Sequence, residues 1–496
     1  MKKYLLLILL IAFITSAGQT KYPKREFRGA WIATVANIDW PINKNSSSGE
    51  QIKELVDMIE SLDSAGINAI FFQIRTECDA LYDSQIEPWS YWLTGKQGKA
   101  PEPFYDPLKF AIDEAHKRGI ELHAWFNPYR SVKTVGAYEQ SKNHVSELHP
   151  EWILNFDNYK MLDPGNPDVK KYVLDVVSDV LLRYDVDGIH FDDYFYPYSP
   201  KVSKEDSSSF ANYGMDFSNI DDWRRYNINS LMADIYDLIK KEKPYVKFGI
   251  SPFGIVENKY AGTNGFESYN ILYCDPLNWI ENKIVDYVNP QLYWELDHKA
   301  APYAKLLPWW SEISDSVHLY IGQYSSRMAA ENYTGSKTEL GDQLRLNRAT
   351  NNVEGEVFFS AKSITQNYGG FKDSLKNHFF RYPALPPVME WKDTTAPAAP
   401  ENLTARIDSN KVVNLSWTHN FKDSSGLNYF LIYKFPNEDK VDLENPKYIM
   451  DIIPGDLRKY SLKSVGDYKQ ALFILTSLDR LKNESAPSNM TGVTVE

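Results

Sequence analysis

Asp187-Gly-Ile-His-Phe-Asp-Asp-Tyr-Phe-Tyr196 is the stretch on which the reading of this 496-residue chain turns. It starts as a β-strand, with apolar Ile189 and Phe191 alternating against His190 and Asp192. Successive strand side chains point to opposite faces. His190, Asp192 and Tyr194 therefore share one face, and Ile189, Phe191 and Asp193 the other. Burying three polar groups on one face is costly unless they line a wet pocket. The strand then runs into an aromatic loop, residues 194–198. A carboxylate at a strand's C-terminal end, roofed by aromatic rings, suits a sugar-processing barrel. The plain alternative is a surface loop with a helix-capping aspartate.

Outward from this run, the chain repeats one pattern. Short apolar strands are expected at 29–35, 69–74, 122–126, 188–192, 246–251, 287–293, 318–323 and 356–360. Helical patterns are expected at about 50–65, 107–118, 167–184, 221–241, 302–313, 339–348 and 363–375. Eight strands alternating with helices argue an α/β fold of the (β/α)₈ TIM barrel kind. The competitor, an open doubly wound sheet, is disfavoured because no Gly-rich phosphate loop follows the first strand. Loops after strands two, three and four are long and rich in Trp, Tyr, Pro and Asn, on the face where barrel active sites sit.

Near residue 385 the texture changes. Pro-rich segments suggest an extended linker over 386–400. Beyond it strands alternate without helices, at 412–417, 429–435, 448–453 and 471–478. That pattern fits a small all-β immunoglobulin-like sandwich over 401–496, with Trp417 and Tyr433 in its core. The first 18 residues read as a signal peptide: Lys2 and Lys3, an apolar run over 5–14, then Ser16-Ala17-Gly18. The mature protein is expected to be exported, periplasmic or extracellular, with no transmembrane segment.

Composition narrows the partner. Net charge is −12, which argues against nucleic acid, since phosphate binding needs a basic footprint. Aromatics make up 14% of the chain, so rings are available for groove surfaces as well as the core. Cys78 and Cys274 are either a disulfide or two free thiols. Two Cys and scattered His give no metal-ligand spacing, so neither metal nor cofactor is expected. Oligomeric state is not readable.

Polar and aromatic residues recur at the same end of most strands, as a shared pocket requires. Glycosidic bond cleavage needs two carboxyl groups beside the bond, one giving a proton and one attacking or activating water. Asp192 is the expected nucleophile or base, with His190 on its face to hold it ionised. Glu295, closing strand six, is the expected acid, since Tyr293 and Trp294 would desolvate it. Asp193 is the reserve, turned inward by a bend. Substrate contacts are expected from Trp31, Arg75, Asp79, His123, Trp125, Asn127, Arg130, His190, Tyr194, Tyr293 and Trp294. Arg75 is expected to pair with Glu77 or Asp79. A non-catalytic glycan-binding barrel is the alternative class. A metal-dependent polysaccharide deacetylase is disfavoured for want of ligands.

Seven stretches carry a family resemblance. They are Phe27-Arg-Gly-Ala-Trp-Ile-Ala-Thr-Val35 with Asp39-Trp-Pro41, Phe72-Gln-Ile-Arg75 with Asp79-Ala-Leu-Tyr82, Ala124-Trp-Phe-Asn-Pro-Tyr-Arg130, Leu162-Asp-Pro-Gly-Asn-Pro167, the 187–194 run, Ile250-Ser-Pro-Phe-Gly-Ile255 and Asn289-Pro-Gln-Leu-Tyr-Trp294. In order over 25–385, they resemble the glycosyl-hydrolase-like family ten of bacteria, formerly a domain of unknown function. The resemblance implies a glycoside hydrolase barrel, with bacterial cell-wall glycan as a substrate in some relatives. The 187–192 run is also similar to the strand-four motif of α-amylase-type barrels, where the aspartate in the place of Asp192 is the nucleophile. Residues 393–405, Trp417 and 475–488 resemble a fibronectin type III domain, which implies a spacer or binding module.

Overall fold

Eight parallel strands close into a barrel in the computed structural model, which describes residues 22–420, 429–462 and 470–494. They are β1 (Phe27–Ile32), β2 (Ala69–Arg75), β3 (Glu121–Phe126), β4 (Gly188–Phe191), β5 (Lys247–Ile250), β6 (Tyr287–Val288), β7 (His318–Gln323) and β8 (Val353–Phe358). Each pairs with the next in sequence, and β8 returns to β1. The expected signal peptide lies outside the described residues.

The helices between strands carry their start signals in the sequence. α1 (Ser48–Ser64) opens with a capping box, in which the Ser47 hydroxyl accepts from Glu50 N–H while the Glu50 carboxylate accepts from Ser47 N–H. α2 (Pro107–His116) and α3 (Pro167–Arg183) begin with Pro after the caps Asp106 and Asn166. α4 (Ile220–Glu242) is capped by Asn219. α5 (Pro276–Glu281) is a short helix that the sequence reading passed over, although Asp275-Pro276 gives it the same start. α6 (Tyr303–Ile313), α7 (Glu339–Ala349) and α8 (Phe371–Ser374) complete the ring.

Strand six is much shorter than the expected 287–293. Pro290 has no N–H to give the sheet, and the chain turns there, with Leu292 N–H donating to the Pro290 carbonyl and to that of Gly322. Beyond Pro290 only Gln291 still bridges its neighbours, Phe253 and Gly322, and residues 292–302 are loop.

The barrel interior is unusually polar, and glycine makes room for it. A Cβ at Gly188 would lie 2.3 Å from His123 Nδ1, and one at Gly249 2.1 Å from the Tyr287 ring. A hydrogen-bonded file runs through this space along the barrel. Trp31 Nε1–H can only donate, so His190 Nε2 accepts, at 3.2 Å. The other nitrogen, His190 Nδ1, then carries the proton and lies 3.3 Å from the Tyr287 hydroxyl. That hydroxyl is 2.8 Å from His123 Nδ1, and His123 Nε2 is 3.3 Å from Glu121. At the closed end, Lys247 Nζ donates to both Glu121 oxygens at 2.8 and 2.7 Å. Burial would raise the Glu121 pKa, but Lys247, His123 and Lys482 hold it down at about 2. Burial keeps His190 neutral, holding its pKa well below the usual histidine range.

The C-terminal part forms two antiparallel sheets. One has the order β9 (Glu401–Ile407), β10 (Val413–Thr418), β13 (Lys459–Leu462); the other β12 (Ile449–Pro454), β11 (Tyr429–Phe435), β14 (Gln470–Leu478), β15 (Thr491–Thr494). Both contribute to one core that includes Trp417, Phe430 and Phe473. Tyr433 is buried in a second cluster, around Leu385. Residues 386–400, expected as an extended linker, include contacts to the barrel's closed end. Met389 is fully buried among Phe27, Tyr287 and Tyr320, while Trp391 and Lys392 donate to Asp286. Lys482 of the β domain reaches Glu121 at 3.7 Å, and Arg480 pairs with Asp185 at 2.6 Å.

Candidate active site

At the opposite, C-terminal end of the strands lies a cavity of about 300 Å³. Its lining includes Trp31 of β1 and Ala33 just after it, Gln73 of β2, Trp125 of β3, Ser251 after β5, Gln291 and Tyr293 after β6, Tyr324 after β7 and Phe359 after β8. Two carboxylates face it, Asp192 and Asp193, both from the end of β4. Strict alternation would turn Asp193 outward, but β4 ends at Phe191 and the chain bends.

Asp192 is 4% exposed, and its side-chain donors come from β3 and the loop beyond it. Trp125 Nε1 donates at 3.1 Å, Asn127 Nδ2 lies 3.2 Å from each oxygen, and the Tyr194 amide donates at 3.3 Å. Burial pushes its pKa up to about 6, against the pull of Arg130 and these donors. Asp193 is 1% exposed. Burial pushes it up to about 7; the Tyr198 hydroxyl, donating at 2.5 Å, opposes the rise and the neighbouring Asp192 charge adds to it. The pair thus has one member that ionises first and one that keeps its proton to neutral pH. Arg130 lines the same wall, its guanidinium 5.2 Å from the centre of the Tyr194 ring. Tyr293 and Tyr324 rings pack 5.0 Å apart opposite.

The structure therefore brings Trp31, Trp125, Arg130, Asp192, Asp193, Tyr194 and Tyr293 around one cavity, with Asn127 behind Asp192. It separates others from it. Glu295 does not line the cavity: with the strand broken at Pro290, it sits in the loop before α6, 3.3 Å from the Tyr333 hydroxyl and 3.8 Å from Arg327. Trp294 leans on Phe253 instead of the cavity. Arg75 is buried in the loop wall on Glu87, at 2.7 Å, and pairs with neither Glu77 nor Asp79. Asp79 accepts from Thr76 and the Glu77 amide, shaping the turn after β2. His123 lies deeper, in the polar file, and His190 is beneath Trp31 without bonding Asp192. Asp192 is held by Trp125 and Asn127 in its place.

Sequence reasoning missed Gln291, Tyr198 and Phe359 as cavity or carboxylate partners. Gln291 could have been found by counting four residues inward from Tyr287. Tyr198 closes the aromatic loop 194–198 read as a roof over the carboxylate and Phe359 falls in the strand expected at 356–360, but neither was assigned a contact. Cys78 and Cys274 are both buried free thiols. Among the described residues no helix is long and apolar enough to cross a membrane.

The model of the family described as Glycosyl hydrolase-like 10 matches residues 26–336, the part of the chain that builds β1 to β7 and the two cavity carboxylates. The chain belongs to the glycosyl hydrolase-like 10 family. It is similar to "Glycosyl hydrolase YngK" of Bacillus subtilis (strain 168), 38% identical over 490 residues, covering 94% of this chain and 93% of that one. It is also similar to "Glycosyl hydrolase DigH" of Escherichia coli (strain K12), 37% identical over 370 residues, 68% of this chain and 84% of that one. Among solved structures, the PgaB (BpsB) glycoside hydrolase domain from Bordetella bronchiseptica aligns with a TM-score of 0.46 at 10% identity, over 71% of this chain and 98% of that one. Membership of this family implies a carbohydrate substrate, and the named relatives support glycosidase activity.

Proposed function

We propose that this protein is an exported glycosidase that cleaves a bacterial polysaccharide, with cell-wall glycan as the polymer. The observation that carries the reading is the pair of buried carboxylates facing one cavity at the C-terminal end of the barrel. Asp193 keeps its proton to about pH 7, which suits the acid that protonates the leaving oxygen. Asp192 ionises earlier and faces the positive charge that develops at the anomeric carbon. Trp31, Tyr194 and Tyr293 offer faces for sugar rings, and Gln73, Ser251 and Gln291 offer hydroxyl partners. The family resemblance supports the cell-wall polymer, and Lys2, Lys3 with the apolar run after them support export. We assign the C-terminal β domain the fibronectin type III kind, on its three-plus-four strand arrangement and the core Trp417.

The test is release of new reducing ends from purified cell-wall glycans, with and without peptide stems. Wild-type protein is expected to release them, and Asp192→Asn to lose release with an unchanged circular dichroism spectrum. Full activity in the variant overturns the role of Asp192. Binding without cleavage by wild-type protein overturns the enzyme.

A further inference from the structure

The two cavity carboxylates are consecutive residues of one stave, and this placement restricts the chemistry. A hydrolysis run by two protein carboxyls sets them on either side of the scissile bond, so that attack comes from the face opposite the leaving group. Asp192 and Asp193 both arrive from the end of β4. The walls facing them carry Trp31, Tyr293, Tyr324 and Phe359, with no third carboxylate among the lining residues. Glu295, the nearest expectation for a partner, is engaged by Tyr333 and Arg327 elsewhere. The protein therefore presents an acid and an anion from one side and no nucleophile from the other.

A sugar can supply the missing group itself. We propose that the substrate is a β-linked 2-acetamido-2-deoxy sugar, whose own acetamide carbonyl attacks the anomeric carbon while Asp192 holds the amide N–H and Asp193 gives the proton. This rests on the glycosidase reading above and names its substrate class. In the first step the carbonyl oxygen bonds to C1 as the C1–O glycosidic bond breaks. The released electron pair stays on the leaving oxygen, which takes the Asp193 proton. The amide N–H, pressed against the Asp192 carboxylate, leaves an oxazolinium whose charge that carboxylate balances. In the second step water adds to C1, Asp193 takes its proton back, and the C1–O bond of the ring opens to restore the acetamide. Only water is consumed, and the anomeric configuration is retained.

Three details fit. Asp192 is locked by Trp125, Asn127 and the Tyr194 amide, as suits a fixed acceptor for a ligand N–H. The Asp193 pKa of about 7 suits a group that must act as acid and then as base near neutrality. Trp31, Ala33 and Phe359 put apolar surface on the cavity wall where an acetamide methyl can rest, and Tyr293 lines the same cavity.

The experiment compares three chromogenic 4-nitrophenyl β-glycosides on the full-length protein: di-N-acetylchitobioside, its N-trifluoroacetyl analogue and the cellobioside. Calorimetric titration of the N-acetylglucosamine thiazoline, a stable mimic of the oxazolinium, is run beside them. Expected are a cellobioside rate about 10³-fold lower or less, a falling rate on fluorination, retained configuration by NMR, and thiazoline binding that Asp192→Asn weakens. Equal rates on all three, or inversion, overturns the acetamide route and leaves the glycosidase standing. No cleavage of these glycosides or of cell-wall glycan, and no thiazoline binding, overturns both.

Discussion

The side-chain amide of Asn127 lies 3.2 Å from both carboxylate oxygens of Asp192. One donor thus bridges the whole carboxylate, and it comes from the loop after a neighbouring strand. Asn127→Ala removes this stabilisation of the anion, so the Asp192 pKa rises and the acid limb of the rate profile moves to higher pH. A fall in kcat/KM of about 10²-fold is expected, on the scale of losing one preorganised donor. Asn127→Asp is expected to be worse, since a like charge beside Asp192 disfavours ionisation further. An unmoved acid limb in both variants would separate Asn127 from the chemistry.

The pH profile follows from the pair. The working state has Asp192 ionised and Asp193 protonated, and with pKa values of about 6 and about 7 it is most populated between them. The kcat/KM profile is expected to be a bell centred in that interval, its two limbs belonging to the coupled pair. With a 2,4-dinitrophenyl leaving group, which needs no acid, Asp193→Asn is expected to keep the rising limb and lose the falling one.

Stability has the opposite sign from rate on the same groups. Both aspartates are pushed above their unfolded value of about 3.9. The folded state binds more protons than the unfolded one from about pH 4 to about pH 7, so stability falls as pH rises through that window. Denaturant unfolding at pH 5 and pH 8 is expected to show this loss in the wild type and a smaller loss in Asp193→Asn. Glu121, held down at about 2, acts elsewhere: its contribution is present above the usual carboxylate range and lost only as pH falls toward 2.

Glu295 provides the negative control. Its carboxylate takes the Tyr333 hydroxyl and sits 3.8 Å from Arg327, away from the cavity. Glu295→Gln is expected to leave kcat/KM within about twofold and stability within about 0.5 kcal/mol, as for a substitution away from the core. A loss of the size seen for Asp192→Asn would return Glu295 to the reaction.

How much of this could be read from the chain depends on what the local pattern reports. Eight strands were readable because Ile189 and Phe191, and their equivalents, mark an outward apolar face at period two. Asp192 was readable as the last inward residue before the loop. Period two stops where the strand stops, so it could not place Asp193, and it carried strand six through Pro290, so that Glu295 was expected at a cavity it does not line. It also gives phase without depth: His123 and Trp125 share a face of β3, yet one lies in the buried file and the other touches the cavity. Arg75 and Glu87 meet through the path of a loop, which no periodicity reports. The closed end was least readable, because Lys482 looks like any surface lysine until the β domain folds onto the barrel.

Lys482 is 2% exposed and 3.7 Å from Glu121, which also holds Lys247 and ends the file from His190 through Tyr287 and His123. Burial lowers the Lys482 pKa, and Glu121 and Asp187 oppose that. A cation from the β domain is thereby part of the barrel's own charge balance. Lys482→Met leaves Glu121 and Asp187 with one buried partner fewer. Removing one member of a buried ionic group costs about 3 kcal/mol or more, because the remaining charge stays desolvated. Urea unfolding of the full chain is therefore expected to show a lower midpoint for Lys482→Met, while Arg480→Met, whose pair with the half-exposed Asp185 is screened by water, moves it little. Double substitution Lys482→Met with Glu121→Gln tests the coupling directly. Because Glu121→Gln also costs Lys247 its partner, the double substitution is expected to lose less than the sum of the two single losses, and additive losses would show that the β domain and the barrel interior do not share this charge.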